Sequence, residues 1–232
     1  MSRQTMIDAT ADLDRPPLYG LASCLVGSQH LDFEIGWPEF ERDTAWAQSV
    51  LHRSGLRSGD MVLVTVTNWE SPWASPIVHA LRNLGITYVT AEVFGWDVRR
   101  VLMFLQRFPI KAVIGLSGQT LTGLSDAGAK TAELLSHTEL IWARPKAAAA
   151  LAEIRRDVLP YARFGPALAL GLPGVRGGAV NAKEWDVTST EAGLVVSNIA
   201  ERATTFREIA SGFRGTVTAV GDELAVYGDP VS

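Results

Sequence analysis

The stretch 115–120 has the composition and the position of a ligand-binding loop. Its residues, Gly-Leu-Ser-Gly-Gln-Thr, follow a predicted strand and precede a helix. Backbone N–H groups and small hydroxyl side chains at such a junction can hold an anion at the carboxyl edge of a parallel sheet. No Lys-Ser or Lys-Thr pair ends the loop, so it is not a Walker loop. The alternative interpretation is an ordinary turn between a strand and a helix.

Aromatic and cationic side chains add two weaker candidates. Trp69, Trp73 and Trp96 come near the ends of the first two predicted strands, where they can line an apolar pocket. Packing inside the core is the alternative for these indoles. Arg202 and Arg207 flank the end of a later strand, and the alternative for them is an ordinary surface position.

The remaining reactive side chains indicate no catalytic constellation. The four histidines lie at positions 30, 52, 79 and 137, without metal-ligand or helix-face spacing, and no Gly-x-Ser-x-Gly motif is present. Cys24 is the only cysteine, which excludes an internal disulfide and a zinc site made of cysteines. Glu39, Glu41 and Asp43 fall in the first turns of a predicted helix, where acidic groups complement the helix dipole.

The composition and net charge limit the classes of function that this chain can have. The chain has 232 residues, of which 47% are apolar and 20% charged, so a folded core is expected rather than disorder. A formal net charge of −4 gives no electrostatic footprint for nucleic acid or an anionic membrane. No stretch approaches the roughly 20 apolar residues of a membrane helix. We expect a cytoplasmic protein whose first 16 residues form an arm or tail, not a signal peptide.

The positioning elements alternate between strands and helices up to about residue 160. The pattern predicts strands at 61–67, 86–91, 111–116 and 139–143. It predicts helices at 38–54, 126–135 and 145–158, one that begins at Pro72 or Pro76 and runs to Gly85, and one more that begins after Asp97. Strands and helices in this order imply right-handed crossovers and a parallel sheet.

Beyond residue 160 the pattern changes to short strands separated by turns. Strands are predicted at 185–187, 193–198, 215–220 and 223–227, with Gly221-Asp222 as a tight turn. We therefore expect an N-terminal region at 1–35, an α/β core at 36–160 and a β-rich subdomain at 161–232. The boundary near 160 is compatible with subdomains that share one sheet system.

Several segments together resemble the N-terminal domain of adenylate-forming enzymes, with the phenylacetate–CoA ligase branch as the best match. These segments span roughly residues 36–220. They are Gly55-Leu-Arg-Ser-Gly-Asp-Met-Val, then 79–89, 105–117, 191–203 and 206–212. The resemblance implies an α/β fold with a parallel sheet, flanking helices and a β-rich C-terminal region. Enzymes of this kind activate a carboxylate with ATP and Mg²⁺ and then transfer the acyl group to CoA.

Four parts of the machinery that the resemblance implies are altered or absent in this sequence. The stretch Ser23–His30, compared with the family's phosphate loop, lacks its lysine and most of its hydroxyls. Leu168 stands where the family has the glutamate that helps to hold Mg²⁺, and leucine cannot ligate a metal. Phe213 aligns with the ribose-binding aspartate. A C-terminal domain that carries a second catalytic lysine is expected to be absent.

Two hypotheses of function follow from the resemblance and its departures. The first is a catalytically degenerate relative that needs no cofactor. It would bind a carboxylate or acyl ligand, or associate with itself or with a partner enzyme. The second is an AMP-forming carboxylate–CoA ligase or acyl-transferring enzyme that uses ATP, Mg²⁺ and CoA. If a pocket exists, we expect it at the carboxyl ends of the parallel strands. Its predicted lining is Ser117, Gly118, Gln119 and Thr120 on one wall, Phe164 and Gly165 opposite, and Trp69 and Trp96 beside them.

Overall fold

A mixed nine-stranded sheet with helices on both faces dominates the fold. The computed structural model describes residues 17–26, 29–220 and 223–230. The helices are α1 (Trp37–Arg53), α2 (Ser71–Asn83), α3 (Val98–Arg107), α4 (Gly118–Asp126), α5 (Thr131–Leu134) and α6 (Pro145–Leu151). The strands are β1 (Gly20–Val26), β2 (Gln29–Ile35), β3 (Met61–Thr65), β4 (Thr87–Ala91), β5 (Ile110–Leu116), β6 (Leu140–Ala143), β7 (Leu159–Phe164), β8 (Ala167–Gly171), β9 (Gly178–Asn181), β10 (Trp185–Thr190), β11 (Gly193–Asn198), β12 (Ile209–Ala210), β13 (Phe213–Val220) and β14 (Glu223–Pro230).

Strand order confirms the predicted fold class. The large sheet runs β13-β14-β9-β8-β7-β6-β5-β3-β4. The five strands from β7 to β4 in this order pair in parallel, as strand–helix–strand units require. The neighbours from β7 to β13 pair antiparallel. Strands β1 and β2 form a separate hairpin, and β10, β11 and β12 form a three-stranded sheet.

Strand β3 shows why consecutive apolar residues suit this sheet. Val62 and Val64 are buried with Leu51 of α1 on one face. Leu63, between them, is buried with Leu124 of α4 on the opposite face. Alternate side chains of a strand point to opposite faces, so a strand covered by helices on both sides must be apolar at every position.

Two predicted helices differ from the observed ones. The helix predicted at 126–135 is only partly observed, because α5 (Thr131–Leu134) is the one helix that lies wholly inside that range. Helix α4 begins earlier, directly after its N-cap Ser117, whose Oγ accepts the N–H of Thr120. Gly128 follows α4 with φ 78°, a conformation that favours glycine and stops the helix. The helix that begins at Pro145 ends at Leu151, earlier than predicted.

The sheet continues through residue 160, where the sequence changes character. Strand β7 pairs in parallel with β6, where Trp142 is opposite Leu159, and antiparallel with β8. The sequence reasoning missed β7, β8 and β9, as well as the hairpin of β1 and β2. It found the sites of β10, β11, β13 and β14. The proposed boundaries at 35 and 160 stay predictions. The expected arm of residues 1–16 and the turn at Gly221-Asp222 lie outside the described residues.

Candidate ligand-binding site at the carboxyl edge of the sheet

Arg144 joins the carboxyl ends of three parallel strands. It directly follows β6, and its Nε donates a hydrogen bond to the carbonyl oxygen of Gly115 in β5 at 2.9 Å. Its Nη2 donates to the carbonyl oxygen of Thr65 at the end of β3 at 3.4 Å. Nη1 and Nη2 also donate to the two carboxylate oxygens of Glu70, at 2.6 and 2.8 Å. The guanidinium is therefore committed to groups of the protein itself.

Glu70 is the buried anion of this edge. Its side chain is 2% exposed, and Oε2 accepts the N–H of Thr67 at 3.0 Å. Burial by itself raises the pKa of Glu70, but the hydrogen bonds and charge of Arg144, the Thr67 N–H and the charge of Arg163 lower it below its usual value. Glu70 is therefore ionised at neutral pH. The local signal was the capping pattern Thr67-x-x-Glu70 after a buried strand, which the sequence reasoning missed.

Tyr161 of β7 supports the pair from the side. The guanidinium carbon of Arg144 lies 5.1 Å from the centre of its ring. The ring is buried, and its hydroxyl has no hydrogen-bond partner among the described residues. Burial raises the pKa of Tyr161 to about 12, so the phenol stays neutral. A neutral, fixed ring of this kind contributes packing and a cation–π contact.

An open pocket of about 360 Å³ lies beside Glu70 and is called the arginine pocket here. Arg163 provides its cation: the side chain is 36% exposed and lies 3.4 Å from Glu70. The Arg163 guanidinium also lies 5.1 Å from the ring centre of Trp73. The pocket is lined by Ser23, Cys24, Leu25, His30, Trp69, Trp73, Arg163, Gly165 and Ser211. One cation beside indole rings and hydroxyls is a combination suited to a small carboxylate with an apolar body.

The hairpin side of the arginine pocket contributes a hydroxyl, an imidazole and a thiol. Ser23 Oγ lies 3.3 Å from Nδ1 of His30 at an exposed position. Burial raises the pKa of the Cys24 thiol, and nearby Arg163 lowers it by a smaller amount. The thiol is thus less ionised than a free cysteine, which does not favour a nucleophilic role.

The side-chain hydroxyls of the loop Ser117–Thr120 already form hydrogen bonds within the protein. Ser117 Oγ donates to the carbonyl oxygen of Val93, and Thr120 Oγ1 donates to the same oxygen at 3.0 Å. A Cβ added to Gly118 would lie 3.3 Å from Lys146, and Gln119 is exposed. The hydroxyls therefore cap α4 and connect it to the segment after β4. Ligand binding by this loop stays a prediction.

The other predicted lining residues are divided between different surfaces. Trp69 and Gly165 come together in the arginine pocket. Phe164 lines a separate cavity of about 270 Å³ with Phe213, their ring centres 4.5 Å apart. Trp96 is 72% exposed and stacks on Phe94 outside both pockets. The single pocket expected from the sequence thus corresponds to several separate surfaces, and the arginine pocket includes only part of the predicted lining.

Two of the acidic residues of α1, Glu39 and Asp43, hydrogen-bond to the segment around Arg202, whereas Glu41 is exposed. Arg202 is 8% exposed and donates to Asp43 at 2.5 Å and to Glu184 at 2.8 Å. Glu39 Oε1 accepts the N–H of Ala203 at 3.0 Å. Burial raises the pKa of Asp43, and Arg202 offsets this only in part. The surface interpretation is thus wrong for Arg202, which ties α1 to the segment before β12; Arg207 is exposed as expected.

Two classes of site find no support in the described residues. No cluster of three or more His, Cys, Asp or Glu side chains among them is placed to hold a metal ion. His79 lies in edge contact with Phe40, with ring centres 5.0 Å apart, and burial lowers its pKa. Within the described ranges, every helix is too short or too polar to cross a membrane.

Comparisons with known proteins place the fold. No protein-family model and no curated protein matches the sequence. Solved structures do match. 2-Hydroxyisobutyryl-CoA ligase, in complex with 2-HIB-AMP and CoA in the thioesterification state, aligns with a TM-score of 0.69 and 11% identity, over 93% of this chain and 53% of that chain. ATP-bound MatB from Rhodopseudomonas palustris aligns with a TM-score of 0.60 and 16% identity, over 96% of this chain and 52% of that chain. This chain has the fold of an adenylate-forming ligase domain.

The similarity to solved ligases supports the fold, but it does not identify a branch of the adenylate-forming enzymes. The chain spans about half the length of these two solved ligases, and neither is a phenylacetate–CoA ligase. Within the ligase fold, the stretch compared with a phosphate loop lies in the hairpin: Ser23–Val26 belong to β1, and Gln29 and His30 belong to β2. Its interpretation as the counterpart of that loop stays a prediction.

Proposed function

We propose that this chain is a member of the adenylate-forming superfamily that acts as a binding or partner subunit. The arginine pocket holds the carboxylate or acyl head of a small molecule. The observation that carries the proposal is the position of Arg163, a cation 36% exposed in a pocket of about 360 Å³. A guanidinium in such a position forms charge-assisted hydrogen bonds to a carboxylate, and the indoles of Trp69 and Trp73 offer apolar surface to the rest of the ligand.

The charge at the edge of the sheet suits a monoanion better than a nucleoside triphosphate. Arg144 and Arg163 bring two positive charges, and ionised Glu70 removes one, so the three groups sum to a single positive charge. Arg144 is also saturated by Glu70 and two carbonyl oxygens. These donors match one carboxylate. A triphosphate carries more negative charge than these three groups offset, and the one carboxylate among them, Glu70, is already paired with Arg144.

A second candidate function is the ligase itself. It is favoured by the fold, since solved neighbours are ligases in complexes with 2-HIB-AMP and CoA or with ATP. Under this alternative the chain is an AMP-forming carboxylate–CoA ligase, in the phenylacetate–CoA ligase branch, and uses ATP, Mg²⁺ and CoA, with or without a partner protein. Acid-dependent exchange between pyrophosphate and ATP by the purified chain would support it.

Calorimetric titration separates these functions. We expect phenylacetate or a comparable small carboxylate to bind the full chain, and the uncharged phenylacetamide to bind at least about tenfold more weakly, because it cannot pair with Arg163. The variant Arg163→Gln is expected to lose carboxylate binding by a similar factor. Arg107→Gln removes an exposed arginine at the end of α3 and is the matched control. Equal affinity of wild type and R163Q would refute the assignment of the pocket, and tight Mg-ATP binding would favour the ligase.

A further inference from the structure

Two arginines share one carboxylate oxygen at the carboxyl edge of the sheet, but they share it unequally. Oε1 of Glu70 accepts a hydrogen bond from Nη1 of Arg144 at 2.6 Å and lies 3.4 Å from Nη1 of Arg163. The shorter contact is a charge-assisted hydrogen bond, whereas the longer one is an ion pair beyond the usual hydrogen-bond distance. Arg163 is therefore the less firmly held of the two cations.

Glu70 does not need Arg163 to remain paired. Its carboxylate accepts hydrogen bonds from both terminal nitrogens of Arg144, at 2.6 and 2.8 Å, and from the N–H of Thr67 at 3.0 Å. A buried carboxylate without partners destabilises a protein strongly, but these three hydrogen bonds do not involve Arg163. Arg163 can therefore turn from Glu70 to another anion without leaving a buried charge unpaired.

Trp73 gives Arg163 a support that does not depend on Glu70. The guanidinium carbon of Arg163 lies 5.1 Å from the centre of the indole ring, within the range of a cation–π contact. The indole is itself fixed, because it is 3% exposed and its Nε1–H donates to the carbonyl oxygen of Pro166 at 3.0 Å. We expect Arg163 to stay beside the arginine pocket when the charge of Glu70 is removed.

We propose that Glu70 competes with the ligand for Arg163, a role that rests on the carboxylate binding proposed above. Glu70 stabilises the fold through Arg144, but its negative charge repels an anion that is bound to Arg163. The repulsion grows in proportion to the charge of the ligand, so Glu70 opposes a dianion about twice as strongly in free energy as a monoanion. Glu70 is thus the residue that makes the arginine pocket selective for singly charged ligands.

Calorimetric titration of Glu70→Gln with two anions of matched shape tests the proposal. Phenyl sulfate carries one negative charge, and phenyl phosphate carries nearly two at about pH 7.5, because its second pKa is about 6. We expect E70Q to bind phenyl sulfate about threefold and phenyl phosphate about tenfold more tightly than the wild type does. A purely structural role of Glu70 predicts the opposite, a weaker binding of both anions.

Leu124→Ala is the matched control for lost stability. Leu124 is buried in the core and does not line the arginine pocket. Truncation of a buried leucine destabilises a fold about as much as removal of one partner from a buried ion pair, but it changes no charge. We therefore expect L124A to keep the wild-type ratio of the two affinities.

The other outcomes overturn the proposal. Equal or lower affinities in E70Q, or equal gains for the two anions, mean that the charge of Glu70 does not oppose binding. If neither anion binds the wild type or E70Q, the proposed function fails as well. If circular dichroism shows that E70Q is unfolded, NMR of the wild type decides. Because coupling between sites is reciprocal, saturating phenyl sulfate must raise the pKa of Glu70, followed at its carboxyl carbon, and an unchanged titration refutes the competition.

Discussion

The Arg144 guanidinium donates two hydrogen bonds to the Glu70 carboxylate, with nitrogen–oxygen distances of 2.6 and 2.8 Å. The pair connects the end of β6 with the turn after β3, and its members are 17% and 2% exposed. A bidentate contact fixes both side chains in one plane. Arg144 is held in this way, and Arg163, which lies 3.4 Å from the same carboxylate, is the arginine that lines the arginine pocket.

The variant Glu70→Gln tests how much the buried pair stabilises the fold. The amide keeps the size of the side chain but removes its charge and leaves Arg144 without a counterion. Removal of one partner from a buried pair typically costs about 3–5 kcal/mol. Arg144 retains some solvent contact, so we expect a loss of about 3 kcal/mol in the free energy of unfolding, measured by urea denaturation. Glu133→Gln is the control: Glu133 is 77% exposed and 3.8 Å from Lys130, and its loss should stay below about 0.5 kcal/mol. Similar losses in both variants would show that the pair is not a strong one.

The parallel core was predictable because its signals are local. An apolar run such as Met61–Thr65 requires burial on both faces of the sheet. The helix before it, α1, has a proline in its first turn and a glycine just after its C-terminal end. Strands β7 and β8 were missed because Pro160 and Gly165-Pro166 interrupt the apolar pattern. The structure uses Pro160 at the beginning of β7 and places Gly165-Pro166 in the turn between β7 and β8, as the pairing of Phe164 with Ala167 shows.

The site was harder to predict because its decisive contacts are distant in sequence. Glu70 and Arg144 are 74 positions apart, and no local pattern connects them. The hydroxyls of the loop Ser117–Thr120 suggested a ligand-binding loop, but the same hydroxyls are suited to capping a helix. Composition does not reveal that both hydroxyls bond to the distant carbonyl oxygen of Val93.

The stabilisation by Glu70 should depend on pH in a defined direction. Its pKa is lower in the folded chain than the ordinary value of 4.5, so its contribution is complete above that pH. It is lost as the pH falls through the lower folded value. The difference in unfolding free energy between wild type and E70Q is therefore expected to be constant between pH 7 and 5 and to shrink between pH 4 and 3. Asp43, with its raised pKa, acts in the opposite direction but is present in both proteins and cancels in the difference. Urea denaturation at each pH measures the difference, and a value unchanged down to pH 3 would contradict the lowered pKa.

Gly115 is expected to be indispensable because of its close approach to β3. Its φ is 87°, and an added Cβ would lie 2.5 Å from the Thr65 carbonyl oxygen, the same oxygen that Arg144 contacts. Gly115→Ala therefore combines an unfavourable backbone conformation with a clash against a fixed strand. The conformation alone costs roughly 1–2 kcal/mol. Gly128→Ala isolates that component, since Gly128 has φ 78° and no atom within 4 Å of the added Cβ. We expect urea denaturation to show a loss of about 1 kcal/mol for G128A and at least about 3 kcal/mol for G115A. The excess measures the packing of β5 against β3 at the edge where Arg144 lies, and equal losses would mean that this edge relaxes to admit a methyl group.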